Sequence, residues 1–186
     1  MLPMSKKLYL IALVPLQEIR DEVEQLKLEL KKDYNASHAL KIPAHITLQM
    51  PFTRKESEEG HIIETLKRFA DKQSPFKINL NGYDSFPPRV LFIKIVNHHP
   101  IKELSQKLNS TLIDSELVSE NRVNDDIHPH MTIATRDLEE EDYHKAWNEF
   151  QDREYKNSFT AKSLFLLKHN GKNWDIYREF EFPEVR

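Results

Sequence analysis

The sequence predicts an α+β protein of two pseudo-symmetric lobes, each an antiparallel sheet with flanking helices, around a central cleft. Three observations carry that expectation. Strand-like and helix-like apolar periods interleave along the chain. The order strand, helix, strand, helix, strand occurs once in each half. A short pattern also recurs with it: "PAHITL" at 43–48 returns as "PHMTIA" at 129–134, placing His45 and His130 85 positions apart. No low-complexity linker divides the halves, so residues 1–186 are read as one bilobal domain.

The elements follow in order. Residues 7–14, "KLYLIALV", are an apolar run with the length of a buried strand. Pro15 closes it and suits the first turn of a helix over 16–33, where Ile19, Val23, Leu26 and Leu30 form one stripe. The stretch 44–50 reads as a strand. Ile62, Ile63, Leu66, Phe69 and Ala70 mark a helix over 58–73. Strands near 75–81 and 89–96 flank a loop with Pro87 and Pro88. Ile101, Leu104, Leu108 and Leu112 share a helical face over 100–118, and a strand follows around 130–135. Asp137 with Glu140 resembles a capping box opening a helix to about residue 150. Two strands, near 158–168 and 173–182, end the chain, and the Asn-Gly between them is a hairpin signal.

Composition narrows the function. Apolar residues are 39%, charged residues 31%, and the formal net charge is −3. That balance argues against a long nucleic acid as partner, yet leaves room for a local phosphate pocket. The absence of cysteine removes disulfides, thiolate catalysis and Cys-ligated zinc, and fits a cytoplasmic protein. Lys6 and Lys7 before an apolar run faintly suggest a signal peptide. However, no small-residue cleavage site follows, and the run leads into "QEIRDEVEQ". No stretch approaches the ~20 apolar residues of a membrane span, so no membrane partner is expected.

The two tetrapeptides carry the chemistry. Strand alternation puts His45, Thr47 and Gln49 on one face, with Ile46 and Leu48 on the other. It likewise groups His130, Thr132, Ala134 and Arg136 against Met131 and Ile133. If a pseudo-twofold axis relates the halves, both imidazole–hydroxyl pairs face one cleft. Displacement at phosphorus needs a base at the incoming oxygen and an acid at the leaving oxygen. Imidazole titrates near pH 6.5 and can fill either role. Threonine hydroxyls can donate to the non-bridging oxygens. The scheme requires no metal and no cofactor.

These residues resemble the 2H phosphoesterases, which include the bacterial 2′-5′ RNA ligase-like proteins and cyclic phosphodiesterases. "HITL" at 45–48 and "HMTI" at 130–133 match the family's paired His-x-Thr/Ser-apolar motifs. "HPHMTIATR", "SFPPRVLFIKI" and the C-terminal hairpin are similar to the family as well. The resemblance implies His45 and His130 as acid/base pair, with His45 the acid and His130 the base in cyclic-ester hydrolysis. It implies Thr47 and Thr132 as phosphate contacts, and a small phosphorylated nucleotide or RNA end as substrate: a cyclic phosphate or a 2′-5′ phosphodiester. A monomer is expected. The "QMPFTRKE" after the first motif departs from the "FLG"-type turn of the RNA ligase-like members.

Further candidates surround this core. Arg136, on the His130 face if the strand stays regular, and Arg89, beside two prolines, are candidate phosphate ligands. Phe52 and Phe86 are candidate stacking partners for a base, as are Tyr83 and Trp174. His45, His128, His130 and Asp125 or Asp126 admit a metal-dependent reading, which leaves the threonines unexplained. A third reading keeps the cleft as a nucleotide- or RNA-end-binding module without turnover.

Overall fold

The computed structural model describes residues 5–184, so the outermost residues of the predicted 1–186 unit lie outside the description. The first sheet orders its strands β2 (Ile46–Lys55), β1 (Lys6–Leu13), β7 (Ser163–His169), β8 (Trp174–Glu181). The second orders them β5 (His130–Ala134), β4 (Val90–Ile95), β3 (Phe76–Phe86), β6 (Lys156–Ala161). Every neighbouring pair is antiparallel. The two sheets correspond strand for strand, and each motif strand, β2 or β5, is an edge.

The helices are α1 (Gln17–Tyr34), α2 (Glu59–Ala70), α3 (His99–Asp114) and α4 (Glu140–Phe150). Helix α1 leads into β2 but packs against β5. Helix α3 leads into β5 but packs against β2. This reciprocal crossing brings the two motif strands together, and β2 and β5 touch directly. One core unites both lobes. Leu13, Ile46 and Leu48 of the first sheet meet Ile93, Met131 and Ile133 of the second, closed by Ile19, Val23 and Leu30 of α1 and by Leu104, Leu108 and Leu112 of α3. Each such side chain contributes roughly 1.5–3 kcal/mol on burial.

The α+β expectation and all four helices stand, with three corrections to the elements. The predicted strand near 158–168 is two strands: β6 pairs with β3 in the second sheet, and β7 pairs with β1 and β8 in the first. The chain changes sheets at Lys162, whose carbonyl accepts from Phe182 N–H at 2.7 Å. Helix α3 ends at Asp114 rather than 118, because Glu116 takes a left-handed φ of 56°. The turn returns Leu117 and Val118 to the core, their N–H groups donating to the Leu112 carbonyl.

The third correction concerns Asp137. It does not cap α4, whose N-cap is Glu139. Its carboxylate accepts from Ser37 N–H at 2.9 Å, Ser37 Oγ at 2.9 Å and His38 N–H at 2.8 Å, tying the segment after β5 to the segment before β2. Burial pushes the Asp137 carboxyl up, but these donors outweigh it and hold it below the usual carboxylate range. Asp137→Ala leaves those donors short of a partner, and thermal unfolding should show a loss of ~2 kcal/mol. The pH sign follows: a depressed carboxyl stabilises above its unfolded value of ~3.9, and that contribution fades as the pH falls through the folded value.

Candidate active site

Each motif strand carries a β-bulge at the same place. In β2, Thr47 pairs with Ala12 and Gln49 with Ile11, so Leu48 is an extra residue. In β5, Thr132 pairs with Phe92 and Ala134 with Leu91, so Ile133 is extra. Both bulged residues are the fourth of their tetrapeptide, and bulges beside a site re-aim its side chains. Ser105 of α3, itself buried, donates its Oγ to the Leu48 carbonyl at 2.9 Å.

The bulges end the period-two alternation just after each threonine, so the predicted faces hold only for His and Thr. Gln49 is buried, and its amide donates to the Met50 and Arg122 carbonyls at 3.2 and 3.1 Å. Ala134 points into the core. Arg136 lies beyond β5 with a left-handed φ of 58°, so strand alternation does not place it on the His130 face. Its carbonyl accepts from Arg89 Nη1 at 3.5 Å, which brings those two candidates side by side.

The imidazoles share one geometry. His45 Nδ1 donates to the Pro43 carbonyl at 2.8 Å, and His130 Nδ1 donates to the His128 carbonyl at 2.6 Å. A carbonyl can only accept, so each Nδ1 carries a proton and each neutral ring keeps a lone pair on Nε2. Both rings are half-buried, as are Thr47 and Thr132. Burial lowers the His45 pKa to about 4, helped by the charges of Lys27 and His130 and opposed by the Pro43 carbonyl. His130 is also lowered, first by burial, then by His128 and His98, against its hydrogen bond to the His128 carbonyl. A proton on His130 would disfavour one on His45.

These shifts fix a stability trend. An imidazole with a depressed folded value binds protons more weakly in the fold than in the unfolded chain. Stability should therefore fall as the pH drops below ~6.5 and stop responding to His45 below about pH 4. Urea unfolding across that window should show a shallower fall in His45→Gln than in the natural protein.

The aromatic candidates separate. Phe86 stands nearly perpendicular to His130, ring centres 5.1 Å apart, and is 37% exposed. Phe52 does not offer a stacking face: it is 8% exposed and packs on Tyr9 in the core that Ile46 and Leu48 share. Tyr83 is buried edge-on against Phe150. Trp174 is half-buried over Leu10, Ala12, Val14 and Leu167, and Ala12 is the cross-strand partner of Thr47, so both share one sheet face.

The acidic residues of the metal reading are engaged elsewhere. Asp125 accepts from Asn109 Nδ2 at 2.8 Å, and Asp126 pairs with Lys102 at 2.7 Å. Among the described residues, no three His, Asp or Glu side chains converge closely enough to hold a metal ion.

Sequence reasoning passed over Lys27. It lies on the buried stripe of α1 with Ile19, Val23 and Leu30, and its Nζ donates to the Ile42 carbonyl at 2.8 Å. Burial lowers its pKa to about 8, opposed by Glu24. The available signal was its position, four after Val23 and three before Leu30, where an apolar residue would be expected.

A model of the 2′-5′ RNA ligase superfamily matches residues 15–173. The chain belongs to the 2′-5′ RNA ligase superfamily. A provisionally named phosphoesterase of Oceanobacillus iheyensis is 26% identical over 175 residues, covering 92% of this chain and 96% of its own. A similarly named protein of Geobacillus kaustophilus is 28% identical over 178 residues, 92% of this chain and 94% of its own. Two solved structures share the superfamily fold. E. coli LigT complexed with 3′-AMP gives a TM-score of 0.69 at 16% identity, covering 96% of this chain and 99% of that one. A protein of Thermus thermophilus gives 0.67 at 20% identity, covering 97% and 100%. The chain is thus a 2H-type member of the superfamily, as its motifs imply, and no described helix is long and apolar enough to cross a membrane.

Proposed function

We propose that this phosphoesterase opens a cyclic phosphate, or cleaves a 2′-5′ phosphodiester, on a small nucleotide or RNA end by metal-independent general acid/base catalysis. The supporting observation is the duplicated anchor: two imidazoles, each held through Nδ1–H by the carbonyl two residues earlier, each with a threonine two residues later, on touching edge strands. The crystal structures of LigT with 3′-AMP, ATP and NADP+ add support for a nucleotide ligand.

In the proposed reaction water attacks phosphorus. The basic Nε2 takes the water proton, the other imidazole gives a proton to the departing ribose oxygen, and the Thr47 and Thr132 hydroxyls donate to the non-bridging oxygens. The deeper depression at His45 favours it as the proton acceptor and His130 as the donor, the reverse of the order implied by the resemblance. A p-nitrophenyl phosphodiester tests this, because its leaving group departs without a proton. His130→Ala should retain far more activity on that ester than on a nucleoside 2′,3′-cyclic phosphate, while His45→Ala stays impaired on both.

The proposal as a whole is tested by turnover of 2′,3′-cyclic nucleotides and 2′-5′ oligonucleotides in excess chelator. Product formation is expected. Calorimetric binding across that panel without product would show a binding module instead, and activity abolished by chelation would show a metal-dependent hydrolase.

A further inference from the structure

A cavity of about 330 Å³ adjoins the His45 side of the cleft. Its walls include Arg20 and Lys27 of α1, then Lys41, Pro43 and Ala44 of the segment that runs into His45, and Trp174 of β8. Pro43 of this wall is also the residue whose carbonyl holds His45 Nδ1–H. The cavity and the proposed acid/base pair therefore share a structural element.

The lining charge is unbalanced. Buried cations are ordinarily paired. Lys27 is 2% exposed and its Nζ donates to the Ile42 carbonyl, its one hydrogen bond among the described residues. Arg20 Nε is buried and has no hydrogen-bond partner among the described residues. Among the described residues, none of Arg20, Lys27 and Lys41 has a carboxylate within 4.0 Å, whereas many surface cations of this chain do. Glu24 and Asp175 also line the cavity, but Glu24 reaches Lys27 only at longer range and Asp175 accepts from Asn170. Three cations thus face two carboxylates across a space of ligand size, with an indole at its edge.

We propose that this cavity receives a second, non-reacting phosphate of the substrate, held by Arg20, Lys27 and Lys41, with Trp174 against the adjoining nucleoside. The inference rests on the phosphoesterase reading and narrows it. The substrate class becomes a nucleotide that carries a phosphate besides the ester being opened. Buried Lys27, half-buried Arg20 and exposed Lys41 then gain an anion within ion-pairing reach, and the non-reacting phosphate fixes the ester relative to His45.

The test compares adenosine 2′,3′-cyclic phosphate with the same ester bearing a 5′-phosphate. The natural protein should favour the 5′-phosphorylated ester by ~10-fold or more in kcat/KM, mainly through KM, as one or two charge-assisted hydrogen bonds would give. In Arg20→Gln and in Lys41→Ala that ratio should fall towards one. Lys27→Met puts the fold at risk, so the two more accessible cations carry the test, with melting curves as the check on folding. Equal kcat/KM for the two esters in the natural protein would overturn the proposal, as would a preference that survives in both variants. If neither ester is turned over, the phosphoesterase reading fails separately, and calorimetry with adenosine 5′-monophosphate then reads the cavity alone. Binding weakened ~10-fold in Arg20→Gln supports the site; binding absent, or equal in natural protein and variant, overturns it.

Discussion

His45→Ala and His130→Ala are each expected to lower kcat for a nucleoside 2′,3′-cyclic phosphate by about 10²–10⁴-fold, the range of a lost general acid or base. In free energy that is roughly 3–5 kcal/mol of transition-state stabilisation. The expected cost to the fold is much smaller. Each imidazole is half-buried and its anchor is a local one, to the carbonyl two residues back. Removing the ring frees that carbonyl and costs about 1 kcal/mol. Activity and stability should therefore part company, and melting curves beside kinetics would show it. The double variant should fall little below the worse single one, because a concerted pair acts as a unit. Multiplicative losses would instead indicate two independent roles.

Thr47→Val and Thr132→Val should each cost ~10²–10³-fold in kcat, because valine keeps the β-branched shape and removes only the donor aimed at the developing charge. Serine at either position should restore most of the rate. The bulges at Leu48 and Ile133 explain why the effect should be equal in the two halves: each holds its threonine at the same step of an edge strand. A loss confined to KM would mean that the hydroxyls bind the ground state only.

How much of this was legible in the sequence depends on the range of the interactions involved. The helices were readable because their cores recur at three and four residues, as Ile101, Leu104, Leu108 and Leu112 do. The imidazole–hydroxyl pairs were readable because period two spans just the distance from His to Thr. The bulges were not: Leu48 and Ile133 are aliphatic like their neighbours, and only the register against β1 and β4 reveals them. Faces assigned past the threonines, for Gln49, Ala134 and Arg136, failed for that reason; Phe52 instead is buried in the same core as Ile46 and Leu48. The exchange of sheets at Lys162 was hidden within a continuous stretch without glycine or proline. Its eleven-residue span, about twice a usual strand, was the one hint. Asp137 matched a local capping pattern but serves Ser37 and His38, about a hundred positions away. No local rule reaches that far.

On this mechanism His45 and His130 address one phosphorus. Histidine side-chain nitrogen NMR of the labelled protein, titrated with orthovanadate in excess chelator, tests it most directly. The Nε2 signals of both residues should move together along a single binding curve, and Thr47→Val or Thr132→Val should weaken both responses alike. Movement of only one imidazole, or two curves with separate affinities, would contradict it.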